Sequence, residues 1–313
     1  MKPLIVLYYH RILPFEGYDI DVNTFRWQLS FLKKHFDIAD PEVLYDLKKG
    51  KKLKKSSVLL TFDDGFLDNF VYAYQILKEF SAKALIFIIT SKVRSGGINK
   101  TTEDYTNNLF IPAKEENALK KSLYEGDLSE FLSWDELKLM KESGIFEIGS
   151  HSHNHVRIFS SDKKIGEFQT DSKVHWSYEF ALGKKPKIKD PIYPMKSYLA
   201  TRRFFEGKWE KEEDYLKRVE EDLKTSKELI KKHLGFDTPF LSWPWGEFSS
   251  ESLEIAKKLG FEFCFTTQKK AFFKDDFCLI GRIHAPKSKK AFIRKLLSNK
   301  YYLTAKIYAA MHK

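Results

Sequence analysis

Short apolar runs recur along the chain, and most are followed by stretches whose apolar positions return every three or four residues. Leu4-Ile5-Val6-Leu7 predicts a first strand ending at His10. A helix follows from an Asn23 cap to Phe36, with Phe25, Leu29 and Leu32 on one face. Ser57-Val58-Leu59-Leu60 predicts a second strand, and residues 66–80 carry helical spacing. The unbroken run Ala84-Leu85-Ile86-Phe87-Ile88-Ile89 is the pattern of a parallel strand covered on both faces. Residues 94–128 lack a clear period and read as a long loop with one short helix. Ser133 and Glu136 form a capping box for a helix ending near Gly144. Further strands are predicted at 145–149, 239–243, 261–266 and 278–284, with helices at 212–233 and 250–258. Strands alternating with helices imply a parallel sheet or barrel. Residues 156–218 are the least regular part of the chain.

Bulk properties narrow this further. With 313 residues, 42% hydrophobic and 15% aromatic, the chain can bury a large core. The net charge of +11 fits a lysine-rich proteome or attraction to anionic partners. No zinc finger, RNA-binding signature or base-reading helix is evident, so nucleic acid is not an expected partner. The start has too short an apolar run for a secretory signal, and no run reaches the length of a membrane span. Cys264 and Cys278, the two cysteines, are expected to be reduced and buried. The expected location is cytoplasmic. Residues 287–313 are helical and basic, which adds peripheral contact with the inner membrane face; packing on the barrel is the alternative.

The candidate chemistry begins at Thr61-Phe62-Asp63-Asp64-Gly65, where a strand ends and a helix begins. Active sites of α/β folds collect at strand C-terminal ends. On an extended backbone Asp63 and Asp64 would point to opposite sides, one holding a metal while the other moves a proton. The bland reading is a helix-capping Asp and a turn glycine. His151 and His155, four apart after a predicted strand, can reach one metal ion. With Asp64 they leave coordination sites open for water and substrate, as catalysis requires. His153, between them, is expected to face elsewhere.

These residues resemble the polysaccharide deacetylase family, also called the NodB-homology or carbohydrate esterase family 4 enzymes. Thr61-Phe62-Asp63-Asp64-Gly65 and His151-Ser152-x-x-His155 match two of its motifs. Ser242-Trp243-Pro244-Trp245-Gly246 and Tyr8-Tyr9-His10-Arg11-Ile12 resemble the branch that includes poly-N-acetylglucosamine deacetylases. The resemblance covers about 3–91, 133–155 and 224–284. It implies a distorted (β/α)7-type barrel over residues 1–286, with an insertion at about 156–218, and a metal-dependent N-deacetylase. By the resemblance, Asp63 is the catalytic base and Asp64, His151 and His155 bind the metal. That metal is zinc, with cobalt, nickel or manganese as alternatives. The backbone N–H of Trp245 helps hold the oxyanion, and His284 is the general acid. His10 is a candidate substrate contact, and Trp243, Pro244 and Trp245 a candidate sugar-stacking wall; core packing is the competing reading for the tryptophans. Ser242 stands where many relatives carry an arginine, and Arg282 is the candidate to replace it in space. The expected partner is an N-acetylated glycan or glycolipid; Tyr193, Arg202, Arg203 and Trp209 in the insertion are candidate contacts to an anionic or lipid-linked substrate, with a solvated loop as the favoured reading. A deformylase on the same fold and a catalytically impaired sugar-binding protein remain as alternatives.

Overall fold

The computed structural model describes all residues except 1, 16–18, 99–103, 105, 106, 108, 110, 275 and 313. Seven strands form its main sheet: β1 (Leu4–Tyr9), β2 (Ser57–Phe62), β3 (Ala84–Ile88), β4 (Phe146–Ser150), β5 (Phe240–Ser242), β6 (Phe263–Phe265) and β7 (Ile283–His284). They lie in the order β6-β5-β4-β3-β2-β1-β7, every pair parallel. A short strand, Asp37–Ile38, adds to β2. Ile280 bridges Phe265 on β6, three residues before β7, so one segment joins both sheet edges and draws them into the distorted (β/α)7 barrel.

The helices are α1 (Val22–His35), α2 (Val43–Lys48), α3 (Tyr74–Phe80), α4 (Glu115–Tyr124), α5 (Trp134–Glu142), α6 (Tyr178–Leu182), α7 (Glu212–Leu234), α8 (Ser250–Lys258), α9 (Lys289–Ser298) and α10 (Tyr302–Met311). Strand alternation sorts the core into two layers. Ile5, Leu7, Val58, Leu60, Ala84 and Ile86 face outward and pack with Phe25, Leu29 and Leu32 of α1. Leu4, Val6, Leu59, Leu85, Phe87, Phe240 and Phe263 fill the interior. Both faces are apolar, which is why these strands read as unbroken hydrophobic runs.

Local differences from the sequence reading have physical causes. The cap of α1 is Asp21, whose carboxylate accepts from Thr24 N–H at 2.9 Å, and not Asn23. The segment after Gly65 opens with a π-type turn at Asn69–Ala73 before α3. Only Ile283–His284 of the expected 278–284 strand is regular, because Cys264 and Thr266 of the opposite edge claim the Phe277 and Ile280 carbonyls. The basic tail is two helices, α9 and α10. The 156–218 segment has its own small core of Phe159, Tyr178, Ala181 and Phe204, beside an antiparallel pair, Arg157–Phe159 with Met195–Ser197.

Candidate active site

Strand β2 delivers both aspartates to the C-terminal end of the barrel, and Asp63 N–H donates to Tyr9 O at 2.9 Å. The chain then turns sharply: Asp64 and Gly65 have φ of +71° and +76°. The two side chains diverge through this left-handed turn, not through the extended backbone expected from sequence. A Cβ on Gly65 would sit 3.1 Å from the Ile88 side chain, so the tight approach to β3 also favours glycine.

Strand β4 delivers His151 and the loop to His155. His151 Nδ1–H donates to the Ser242 carbonyl at 2.8 Å, which leaves Nε2 as the acceptor nitrogen. That Nε2 lies 3.5 Å from Asp64 Oδ1, and His155 Nε2 lies 3.6 Å from the same oxygen. All three residues are buried, and Asp64 Oδ1 has no hydrogen-bond partner. A carboxylate oxygen without a hydrogen-bond partner, 3.5 and 3.6 Å from two imidazole nitrogens, fits a shared cation. Ligands about 2.0–2.1 Å from a tetrahedral ion stand roughly 3.4 Å apart. Burial pushes Asp64 up to about 8 and His151 down to about 4, with His155 also well below its ordinary value. Two neutral imidazoles are what a metal requires.

The loop is held from a distance. Asp222 of α7 accepts from His153 N–H at 2.9 Å, Asn154 N–H at 3.1 Å and Asn154 Nδ2 at 2.8 Å. His155 N–H donates to Ser152 Oγ at 3.0 Å, and His155 itself has φ of +47°. His153 turns away from the cluster, its Nδ1 paired with Thr90 Oγ1 at 3.0 Å.

Asp63 faces a different partner. Arg282, wholly buried, meets its two oxygens at 2.7 Å each and donates to Ser242 Oγ at 2.8 Å. Burial alone would raise the Asp63 carboxyl, but Arg282 and then His151 outweigh it and hold the group below its ordinary value. The small Ser242 side chain supplies an acceptor for a guanidinium that arrives from the residue just before β7.

The cavity above these residues measures about 580 Å³. His10 lines it, together with Tyr8, Glu115, Arg157, His175, Trp176, Trp245 and Lys269. His10 Nδ1 lies 3.7 Å from Asp19 Oδ2. Burial opposes its protonation, yet Glu115, Asp19, Asp64 and Asp63 push it up to about 10. His284 is not among the lining residues; its ring lies 6.5 Å from that of His10, with Nε2 3.2 Å from Asp19 Oδ1. Trp245 sits at φ +56° with its ring 4.3 Å from that of His155, and Arg157 lies over its face.

Trp243 is a correction to the stacking wall. It is fully buried among Leu199, Tyr215 and Val219, against Phe248, and presents no face to a sugar. Pro244 is likewise buried and does not line the cavity. Tyr193 and Trp209 pack on Phe204, Arg203 donates to the Phe180 and Ala181 carbonyls, and Arg202 to Glu210 O; none lines the cavity. The aromatic wall is instead Trp245 with Trp176, whose ring lies parallel to that of His155 at 6.5 Å. Sequence reasoning missed Trp176, His175, Arg157, Glu115 and Asp222. Glu115 reaches the mouth because buried Arg11 pins the chain just before α4, through Ala113 O at 2.7 Å and Glu130 at 2.8 Å.

A carboxylate and two imidazoles, beside a second carboxylate locked on an arginine, form a candidate metal-binding cluster at the mouth of a parallel barrel. The polysaccharide deacetylase family model matches residues 50–264, and the chain belongs to that family. A poly-β-1,6-N-acetyl-D-glucosamine N-deacetylase of Staphylococcus aureus is 25% identical over 260 residues, covering 82% of this chain and 63% of that protein. The enzyme of the same name from Escherichia coli K12 is 23% identical over 251 residues, covering 80% of this chain and 31% of that protein. The chain thus spans less than two thirds of the length of these relatives. Among solved structures, a de-N-acetylase from Aggregatibacter actinomycetemcomitans superposes with a TM-score of 0.68 at 20% identity, over 93% of this chain and 98% of that one. IcaB from Ammonifex degensii gives 0.62 at 23% identity, over 94% and 95%. These likenesses establish the fold.

Proposed function

We propose that the protein is a metal-dependent N-deacetylase of an N-acetylated glycan. The observation that carries this reading is the cluster of Asp64 Oδ1 with the two Nε2 atoms at 3.5 and 3.6 Å, beside an Asp63 fixed by Arg282. Asp64, His151 and His155 would hold a divalent ion, and their donor set of two imidazoles and a carboxylate favours zinc. Such an ion lowers the pKa of bound water from about 15.7 towards about 7 and polarises an acyl oxygen. The chain's own groups supply the rest. Asp63, ionised and aimed by Arg282, accepts the proton of the attacking water. His10 faces the same cavity and carries a proton, so it takes the general-acid role that the resemblance gave to His284. It protonates the departing amine, which leaves poorly otherwise. Asp19 orients His10, and His284 braces Asp19. The Trp245 N–H is the candidate oxyanion donor, and the Trp176 and Trp245 faces suit a pyranose ring. The names of the relatives support an N-acetylglucosamine polymer as substrate.

The test is acetate release from N-acetylglucosamine oligomers by chelated and metal-reconstituted protein. Activity is expected only with metal. Asp63→Asn should lower kcat by roughly 10²–10⁴-fold while bound metal persists. Undiminished activity in chelator sinks the metal reading. Formate release from N-formyl analogues without acetate release selects the deformylase alternative, and glycan binding without turnover selects the sugar-binding one.

A further inference from the structure

An exposed feature with a chemistry of its own lies at the other end of the barrel. Helix α10 shows Leu303, Ile307 and Met311 four residues apart, with 70%, 52% and 76% of each exposed. Such a stripe is unusual on a water-facing helix unless something covers it. Its surroundings are strongly basic. Residues 287–313 contain eight lysines and arginines and no acid, and residues 48–55 contain six lysines and no acid. A hollow lined by Lys2, Lys52, Leu53, Lys54, Tyr301 and Tyr302 brings the two segments together. Lys48 and Lys51 are neutralised by Glu262 and Asp46, but Lys2, Lys52, Lys54, Lys300 and Lys306 have no ion pair among the described residues.

The place of this surface is fixed by the strands. Ser56, immediately before β2, donates its hydroxyl to Lys300 O at 2.6 Å, while Asp63 immediately follows β2. Lys2 precedes β1 and lies over the Tyr301 ring, whereas His10 follows β1. Six strand residues span about 20 Å at roughly 3.3 Å each, so the basic apolar surface and the metal cluster occupy opposite ends of the barrel.

We propose that this end docks on an anionic lipid bilayer, with α10 lying in the interface and the active-site mouth directed away from it. An apolar stripe seeks the acyl boundary while the lysines around it meet anionic headgroups. Tyr301 and Tyr302 suit the level between the two. Two copies meeting face to face would oppose like charges around the stripe, which disfavours a dimer here. A polyanion without lipid would leave the stripe uncovered. The orientation presents the cavity to glycan extending from the surface, not to a sugar attached to the headgroups beneath the protein.

Sedimentation with vesicles tests this using the full chain. Binding is expected to phosphatidylglycerol-containing vesicles and not to pure phosphatidylcholine, and should weaken as salt is raised. Leu303→Ser/Ile307→Ser/Met311→Ser and, separately, Lys52→Gln/Lys54→Gln/Lys300→Gln should each bind at least tenfold more weakly, with turnover of a soluble glycan oligomer unchanged. Circular dichroism confirms that both variants are folded. Equal binding to both vesicle types, or none to either, overturns the proposal. So does a dimer in solution that the serine variant dissociates.

Discussion

Asp222 shows how one residue can govern chemistry it does not touch. Its carboxylate accepts three N–H donors from His153 and Asn154, inside the five-residue loop that carries both candidate ligands. It works with Thr90 N–H and Ser91 N–H, which donate to the Ser152 and His153 carbonyls, to hold that loop against the left-handed backbone at Ser152 and His155. Asp222→Asn keeps the size but replaces one acceptor oxygen with a donor facing other donors. Metal affinity, measured by competition with a chromophoric chelator, should fall about 10–100-fold, the usual cost of losing a partner behind a ligand. The melting temperature of the metal-free protein should move far less. Unchanged affinity would mean the loop is set by its bonds to Thr90, Ser91, Ser242 and its own Ser152 turn. Arg282 acts similarly on Asp63, with two parallel bonds that a lysine could not reproduce.

Among the elements, β4 has little room to spare. A Cβ on Gly149 would lie 2.6 Å from the Phe87 ring and 2.9 Å from Phe240 Cβ, inside the barrel where neither can retreat. Gly149→Ala should destabilise the fold by about 1–3 kcal/mol, the cost of overpacking, seen as a lower melting temperature in calorimetry. A neutral result would show that the interior relaxes locally. The elements were legible in sequence where one force dominated. Unbroken apolar runs announced β1, β2 and β3, and Ser133 with Glu136 announced the capping box of α5. The placement of Asp63, Asp64, His151 and His155 followed, because each stands just past the end of a strand. Legibility stopped where long-range contact decides. Trp243 and Trp245 are two residues apart and look equivalent, but the turn at Trp245 sends one into the core and the other to the mouth. Trp176 and His175 sit in a segment without periodicity, held by contacts across the insertion. Asp222 lies on a charged helix whose pattern reads as a solvent face.

For the molecule as a whole, the buried titratable groups of the site set how stability responds to pH. Asp64, raised to about 8 by burial, and His10, raised to about 10 against burial, both keep protons in the fold that the unfolded chain releases at lower pH. A group whose folded pKa exceeds its unfolded value stabilises below the unfolded pKa and loses that contribution as pH rises through the folded one. His151 and His155 are shifted the other way and favour the fold as pH rises through the range up to about 6.5. Below about 6.5 the two tendencies oppose; from about 6.5 to 8 only Asp64 and His10 act, and stability of the metal-free protein should fall. Each group contributes up to about 1.4 kcal/mol per pH unit. A cation on Asp64 replaces its proton and removes that share of the slope. The melting temperature with chelator should therefore drop between pH 6.5 and 8, and the rise on adding zinc should be larger at pH 8 than at 6.5. A zinc-induced rise that shrinks with pH over this range would mean that the ion binds somewhere other than the buried carboxylate.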